Sequence, residues 1–388
     1  MNSSSPILIN DLIMEILSRL PSKSVARFRC VSKPWASMLS SPYFKNLFSI
    51  RSSAKPRLLF AIENNGWNFF SLAMLENPYD QESNLVAAAE FHVNISPDIE
   101  PCDFIRHCSC AYASGLFYIH YCGFQGRPLI FNPVTGRYAI LPYICREADS
   151  FFGFDPVDKQ YKALFMDFSF SPSTNKSLTF GDGDIKYSKV TSSLRHDIAS
   201  GGICINGVVY YFGDTTDCIN DDHVVTPELV IVCFDVRSEK ITFIEFEKIG
   251  ELIDYKGKLA LIYWGDDYAI KELHMWVLDD VEKKEWSKYA YTLTTDDKCF
   301  CRYVVGATAS GDIVFSTKWC GPKELFYVYY FSPERNRLQR VEIKGFGEAA
   351  SDNGFTVRTF VNHVEDLDVN DLKLLKSFHS PVPKLKYA

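Results

Sequence analysis

The 388-residue chain reads as an α+β, multidomain protein, with a small N-terminal all-α module followed by an all-β, propeller-like domain of about six blades. Three observations predict this. The first fifty residues place apolar side chains at helical spacing. From Arg57 to about residue 365 the pattern changes to short runs rich in Val, Ile, Phe and Tyr, broken by Gly, Asn-Pro and Asp-Pro turns. Within that stretch one turn signal returns at intervals near fifty residues, the size of a four-stranded propeller blade.

The helices come first. Leu12, Ile13, Ile16, Leu17 and Leu20 form one wide apolar face, Asn10 or Asp11 can cap its start, and Pro21 ends the run. Val25, Phe28 and Val31 stand three apart on a second helix. Ser32 with Pro34 starts a third, which carries Trp35, Met38 and Leu39. A unit below about 40 residues buries too little surface to offset its chain entropy. This much Leu, Ile, Phe and Trp therefore implies burial against a partner, or against the rest of the chain as an ordinary core element.

The strands follow in repeats. A glycine precedes an apolar run at Gly66, Gly115, Gly207, Gly257 and Gly311, with gaps of 49, 92, 50 and 54 residues. The long gap is nearly two short ones, which places an unmarked copy near residue 161, where Asp158-Lys159-Gln160-Tyr161 is a turn entering a strand. A second signal closes each copy, a strand entering a turn with an acid, Asn or Pro and a downstream base: Phe131-Asn132-Pro133 to Arg137, Phe234-Asp235 to Lys240, Leu278-Asp279 to Lys283, and Phe331-Ser332-Pro333 to Arg337. A lone blade cannot cover both faces of its sheet, so a closed ring is expected, with Arg57–Ile62 meeting Phe355–Val361 to shut it. Two stacked sheets also fit the strands but leave the period unexplained.

The residues themselves carry a resemblance. Glu15-Ile16-Leu17-Ser18-Arg19-Leu20-Pro21, Arg27-Phe28-Arg29-Cys30-Val31-Ser32-Lys33, Trp35 and Ser41-Pro42-Tyr43-Phe44 resemble the plant F-box. Phe131-Asn132-Pro133-Val134-Thr135-Gly136, Gly153-Phe154-Asp155-Pro156 and Trp276-Val277-Leu278-Asp279-Asp280 with Glu285-Trp286 resemble the F-box-associated, kelch-like β-propeller domain. The double-Gly and Trp pattern of a true kelch blade is missing; Gly201-Gly202 is its single echo. The resemblance implies a division into a disordered N-terminus (1–8), an F-box (9–50), a linker (51–56), an F-box-associated domain (57–365) and a C-terminal tail (366–388). It implies docking on the Skp adaptor, and through it on cullin, of an SCF-type ubiquitin ligase. The implied contact or core set is Ile9, Asn10, Leu12, Ile16, Leu17, Pro21, Val25, Phe28, Val31 and Trp35. Asn10 departs from the family's usual Pro, exchanging a preset φ for a capping side chain. The β domain is then expected to hold an unidentified target protein, with a non-degradative binding module as the alternative and a propeller enzyme as a third.

Composition narrows the rest. A net charge of −7 argues against nucleic acid or anionic membrane as the main partner. The Met1–Pro6 opening has no signal-peptide pattern, and apolar runs such as Leu229–Phe234, Leu259–Trp264 and Leu325–Phe331 are strand length, so a cytoplasmic or nuclear protein is expected. There the twelve cysteines stay free thiols. Cys102, Cys108 and Cys110, with Cys299 and Cys301, lack the repeated C-x-x-C spacing of a zinc site. The sequons at Asn94 and Asn175 carry no weight in that compartment. His107, His120, His196 and His223 read as structural, Gly181–Asp184 as a tight turn, and no catalytic motif is present, so neither a cofactor nor a catalytic residue is expected. Binding is expected on propeller loops, with Ser169–Lys176 and the acidic Asp214–Pro227 long enough to matter. The acidic stretch Glu365–Asp368 reads as a solvated terminus.

Overall fold

In the computed structural model, residues 6–375 are described except 65, 76, 80–84, 96–107, 122–126, 143–147, 168–173, 182–183, 217–227, 266–271, 294–302 and 348–353. Four helices open the chain: α1 (Pro6–Leu17), α2 (Ser22–Arg29), α3 (Lys33–Leu39) and α4 (Pro42–Ser53). The capping expected of Asn10 or Asp11 is corrected. α1 starts a turn earlier at Pro6, whose missing N–H is harmless in a first turn, so both residues lie inside the helix. Ser32 and Ser41 do cap, accepting from the Trp35 N–H at 3.4 Å and the Phe44 N–H at 3.2 Å. Because α4 continues to Ser53, only residues 54–56 separate it from the first strand.

The β domain is a ring of six sheets. The chain enters through β1 (Arg57–Glu63), β2 (Trp67–Ala73), β3 (Leu85–Ala88) and β4 (Glu90–Ile95). Blade two is β5 (Cys108–Ala113), β6 (Leu116–Tyr121), β7 (Leu129–Phe131) and β8 (Tyr138–Ile140). Blade three is β9 (Ala148–Asp155), β10 (Gln160–Asp167), β11 (Thr174–Phe180) and β12 (Lys186–Thr191). Blade four is β13 (Asp197–Ile198), β14 (Ile203–Ile205), β15 (Val208–Asp214), β16 (Leu229–Asp235) and β17 (Ile241–Phe246). Blade five is β18 (Glu251–Tyr255), β19 (Lys258–Trp264), β20 (Glu272–Asp280) and β21 (Glu285–Thr292). Blade six holds β22 (Val304–Ala307), β23 (Ile313–Phe315), β24 (Trp319–Cys320), β25 (Tyr327–Ser332) and β26 (Arg337–Lys344). Then β27 (Phe355–His363) returns to the first sheet, and α5 (Leu367–Asp371) follows.

Closure is by β27 against β1, antiparallel, with Leu59 opposite Phe360 and Ile62 opposite Val357. The seam is stitched twice more. β3 leaves the first sheet to pair in parallel with β26, the outer strand of blade six, and β24 leaves blade six to pair with β27. The apolar core is divided into six layers, one between each pair of neighbouring sheets. Successive side chains of a strand enter opposite layers: Phe60 packs toward blade six and Ala61 toward blade two, and Phe151 and Phe152 likewise part company. Strands buried on both faces explain why these runs are continuously apolar.

The glycine repeat is in phase for four copies. Gly115, Gly207, Gly257 and Gly311, at φ of +84, +84, +80 and +96°, all sit between the first and second strands of their blades, the first strand of blade four being interrupted into β13 and β14, which both pair with β15. The unmarked copy is there too, with Lys159 at φ +51° between β9 and β10. Gly66 is a correction. It lies between β1 and β2, one turn further along than the others, because in the closing sheet β1 follows β27, to which β24 adds a short edge.

Candidate functional site

The proposed docking residues divide between the surface and the interior of the helical module. Leu12, Ile16 and Val31 are 58%, 61% and 64% exposed. Asn10 and Pro21 are exposed as well, and Phe28 and Trp35 are half-buried with ring centroids 5.5 Å apart. Leu17 and Val25 are buried, in a core with Leu39, Phe44 and Phe48. The side chain of Ile9 lies outside the described residues. α1 is apolar on more than one side, and the sequence alone does not tell which side faces inward. Leu12 and Ile16 share the outer one, a helical turn apart. Glu15 ties α1 to α4: it accepts hydrogen bonds from Arg51 and, at 2.8 Å, from Arg19, and the two arginines hold its carboxyl below the ordinary range.

The stretch Glu365–Asp368, expected to be a solvated terminus, is instead built into the protein. Leu367 is 2% exposed and, among the described residues, is the one member of the buried helical core from beyond Ser53. Val369, Leu372 and Leu375 are buried in the layer between blades two and three. Glu365 accepts from the Ser22 N–H at the start of α2. Asp368 lies 2.9 Å from Nζ of Lys45 on α4 and 3.3 Å from Nζ of Lys159 in the β9–β10 turn. Burial opposes ionisation of Asp368, but the two lysines outweigh it and keep the carboxyl below its usual value. Arg137 donates to the carbonyls of Leu372 and Leu375. An added Cβ on Gly115 would meet Val369 at 3.0 Å, so the first turn of blade two accepts this segment closely.

Elsewhere, described polar groups engage one another. His120 faces Ser150 at 2.9 Å, and His196 lies between the Leu194 carbonyl at 3.1 Å and the Tyr211 hydroxyl at 2.9 Å. His107 and His223 lie outside the described residues, as do most of Ser169–Lys176, most of Asp214–Pro227, residues 182–183, and Cys102, Cys299 and Cys301. Arg237 donates to both oxygens of Asp155, at 2.8 and 2.9 Å, and joins blades three and four. That pairing holds the Asp155 carboxyl far below its ordinary value. Cys233 is buried, which pushes its thiol up to about 12. Among the described residues no three His, Cys, Asp or Glu side chains gather as a metal site. A shallow crevice between blade six and the first sheet is lined by polar groups that engage one another: the Tyr79 hydroxyl donates to Asp312 at 3.0 Å and Arg335 to Asn77 at 3.1 Å. No helix among the described residues is long and apolar enough to cross a membrane.

Residues 57–364 match the family described as F-box associated beta propeller domain, and residues 7–47 match the F-box domain. Three similar proteins come from Arabidopsis thaliana. F-box protein At2g16450 is 56% identical, with 99% of this chain and 98% of that protein covered. F-box protein At2g15640 is 55% identical over 98% of each. Putative F-box protein At2g16220 is 58% identical over 99% of this chain and 96% of its own length.

Proposed function

Since the chain belongs to the plant F-box proteins that carry an F-box-associated β-propeller, we propose that it is the substrate-recognition subunit of an SCF-type E3 ubiquitin ligase. The helical module docks on the Skp-type adaptor, and through it on cullin, while the propeller holds a target protein. The subunit itself makes and breaks no bond; it raises the effective concentration of target lysines at the enzyme that transfers ubiquitin. It acts in the cytoplasm, the nucleus or both.

The observation that carries this reading is the uncovered apolar surface at Leu12, Ile16 and Val31 on a helical module whose own core is already filled. Leu12, Ile16 and Val31 are the described members of the docking set whose large aliphatic side chains are more than half exposed, and such exposure on one small module marks an interaction surface. Leu17 and Val25 support docking from behind, by holding α1 and α2 in place. The experiment is copurification of adaptor with the chain carrying Leu12→Ser, Ile16→Ser and Val31→Ser. Exposed positions tolerate such changes within about 0.5 kcal/mol each, so the fold is expected to survive and adaptor capture to be lost. Val157→Ser and Tyr187→Ser, exposed on the propeller, serve as controls and leave capture intact. Undiminished capture by the triple variant refutes the docking surface.

A further inference from the structure

We propose that residues 364–375 are a strap that fixes the helical module on the propeller at one angle, so that the two move as one rigid body. The covalent connection alone would not do this. Modules joined by a short linker are free to move relative to each other unless an interface restrains them, and here the link is Ala54, Lys55 and Pro56. A second attachment removes that freedom, because a body held at two separate points cannot swivel about either.

The strap supplies that second attachment with side chains sent in both directions. Leu367 enters the helical core, and two residues later Val369 enters the propeller, followed by Leu372 and Leu375. Asp368, between them in sequence, bridges the two bodies by reaching Lys45 on one and Lys159 on the other. Glu365 holds the start of α2, and Arg137 holds the strap's far end by its carbonyls. Asp366 caps α5 by accepting from the Asp368 N–H at 2.7 Å, which sets the turn that separates the inward Leu367 from the outward-reaching acid. The strap leaves from β27, the closing strand, so its root is anchored in the ring itself. The result is a fixed distance and direction from the docking surface to the propeller.

The test uses the full-length chain and needs neither adaptor nor target. Lys45 and Lys159 both contact one carboxylate, so a short amine-reactive crosslinker is expected to join them in the unaltered chain, and small-angle scattering is expected to match a single compact shape. Asp368→Lys turns both attractions into repulsions at a half-exposed position. It is expected to lower the Lys45–Lys159 crosslink several-fold and to lengthen the maximum dimension. Asp368→Lys with Lys45→Glu and Lys159→Glu restores opposite charges and is expected to restore the compact scattering profile. Leu367→Asp should loosen the module further and split a single calorimetric transition into two. Because Leu367 also supports the helical core, the decision rests on the charge variants. A crosslink yield and scattering profile unchanged by Asp368→Lys, or a lengthened scattering dimension that the charge-reversed triple variant fails to correct, overturn the strap.

Discussion

At the scale of single residues, the half-buried His92 and the buried His363 set a pH response. His92 shares the Ser71 hydroxyl, at 2.7 Å, with the Arg57 guanidinium, and the His363 ring meets the Tyr112 hydroxyl at 2.6 Å. Burial first, and then Arg57, pushes His92 down to about 4; burial, followed by His92 and Arg57, pushes His363 down to about 3. A histidine that stays neutral in the fold but takes a proton near 6.5 when unfolded gives stability that is complete above 6.5 and lost as pH falls toward the folded value. Each group then costs up to about 1.4 kcal/mol per pH unit. Thermal unfolding is expected to occur at progressively lower temperature from pH 7 to 5, with a shallower slope in His92→Gln. Glu63, Glu251 and Asp366 are raised by burial and work in the opposite sense, so the comparison with His92→Gln isolates the histidine. Equal slopes would refute the assignment. Neither histidine stood out in the sequence, because the burial comes from strands at opposite ends of the chain.

At the scale of elements, the turns were legible and the exchanges were not. Ser114-Gly115, Asn206-Gly207 and Lys256-Gly257 pair two positive φ values in two-residue hairpins, a local demand that leaves a local mark. Gly66 kept the spacing while occupying another turn. The excursion of β3 lengthens the chain between Gly66 and Gly115 enough to imitate a whole blade. β3 and β24 pair with partners from a neighbouring sheet, and nothing in four or two residues announces that. Of the docking set, the apolar spacing identified the helices, whereas the division into outward Leu12 and Ile16 and inward Leu17 required the helices packed together. The parallel seam can be tested at Ala89, whose N–H donates to the Lys344 carbonyl at 2.8 Å. Ala89→Pro removes that donor and should cost about 1–3 kcal/mol in denaturant unfolding if the stitch supports closure, the penalty of leaving the backbone acceptor unpaired. A cost within about 0.5 kcal/mol, the range of neutral surface changes, would reduce the stitch to decoration.

At the scale of the whole molecule, the two halves are joined more closely than an N-terminal module and a separate β domain would be. The acidic run 365–368 masked this in the sequence, because its charges read as solvated while Leu367 is the one apolar side chain within it. A chain begun at Ser53 keeps the β1–β27 closure and so should still capture the target, but it bares Leu367, for which Leu367→Ser is a prudent companion change. Capture without delivery is expected to lengthen the target's half-life after synthesis is blocked, relative to cells with the full chain. Half-lives equally unaffected by both forms, for every captured protein, would favour a non-degradative role. The closing strand has a further consequence for how the protein is made. β1 emerges from the ribosome roughly three hundred residues before the partner that shuts the ring, a wait of about 15–60 s at ~5–20 residues per second. The helical core waits as long for Leu367. Neither half can finish folding until its late partner has been made, so a chain broken off before β27 leaves the ring unclosed and the helical core lacking Leu367, a state that cellular quality control is equipped to remove.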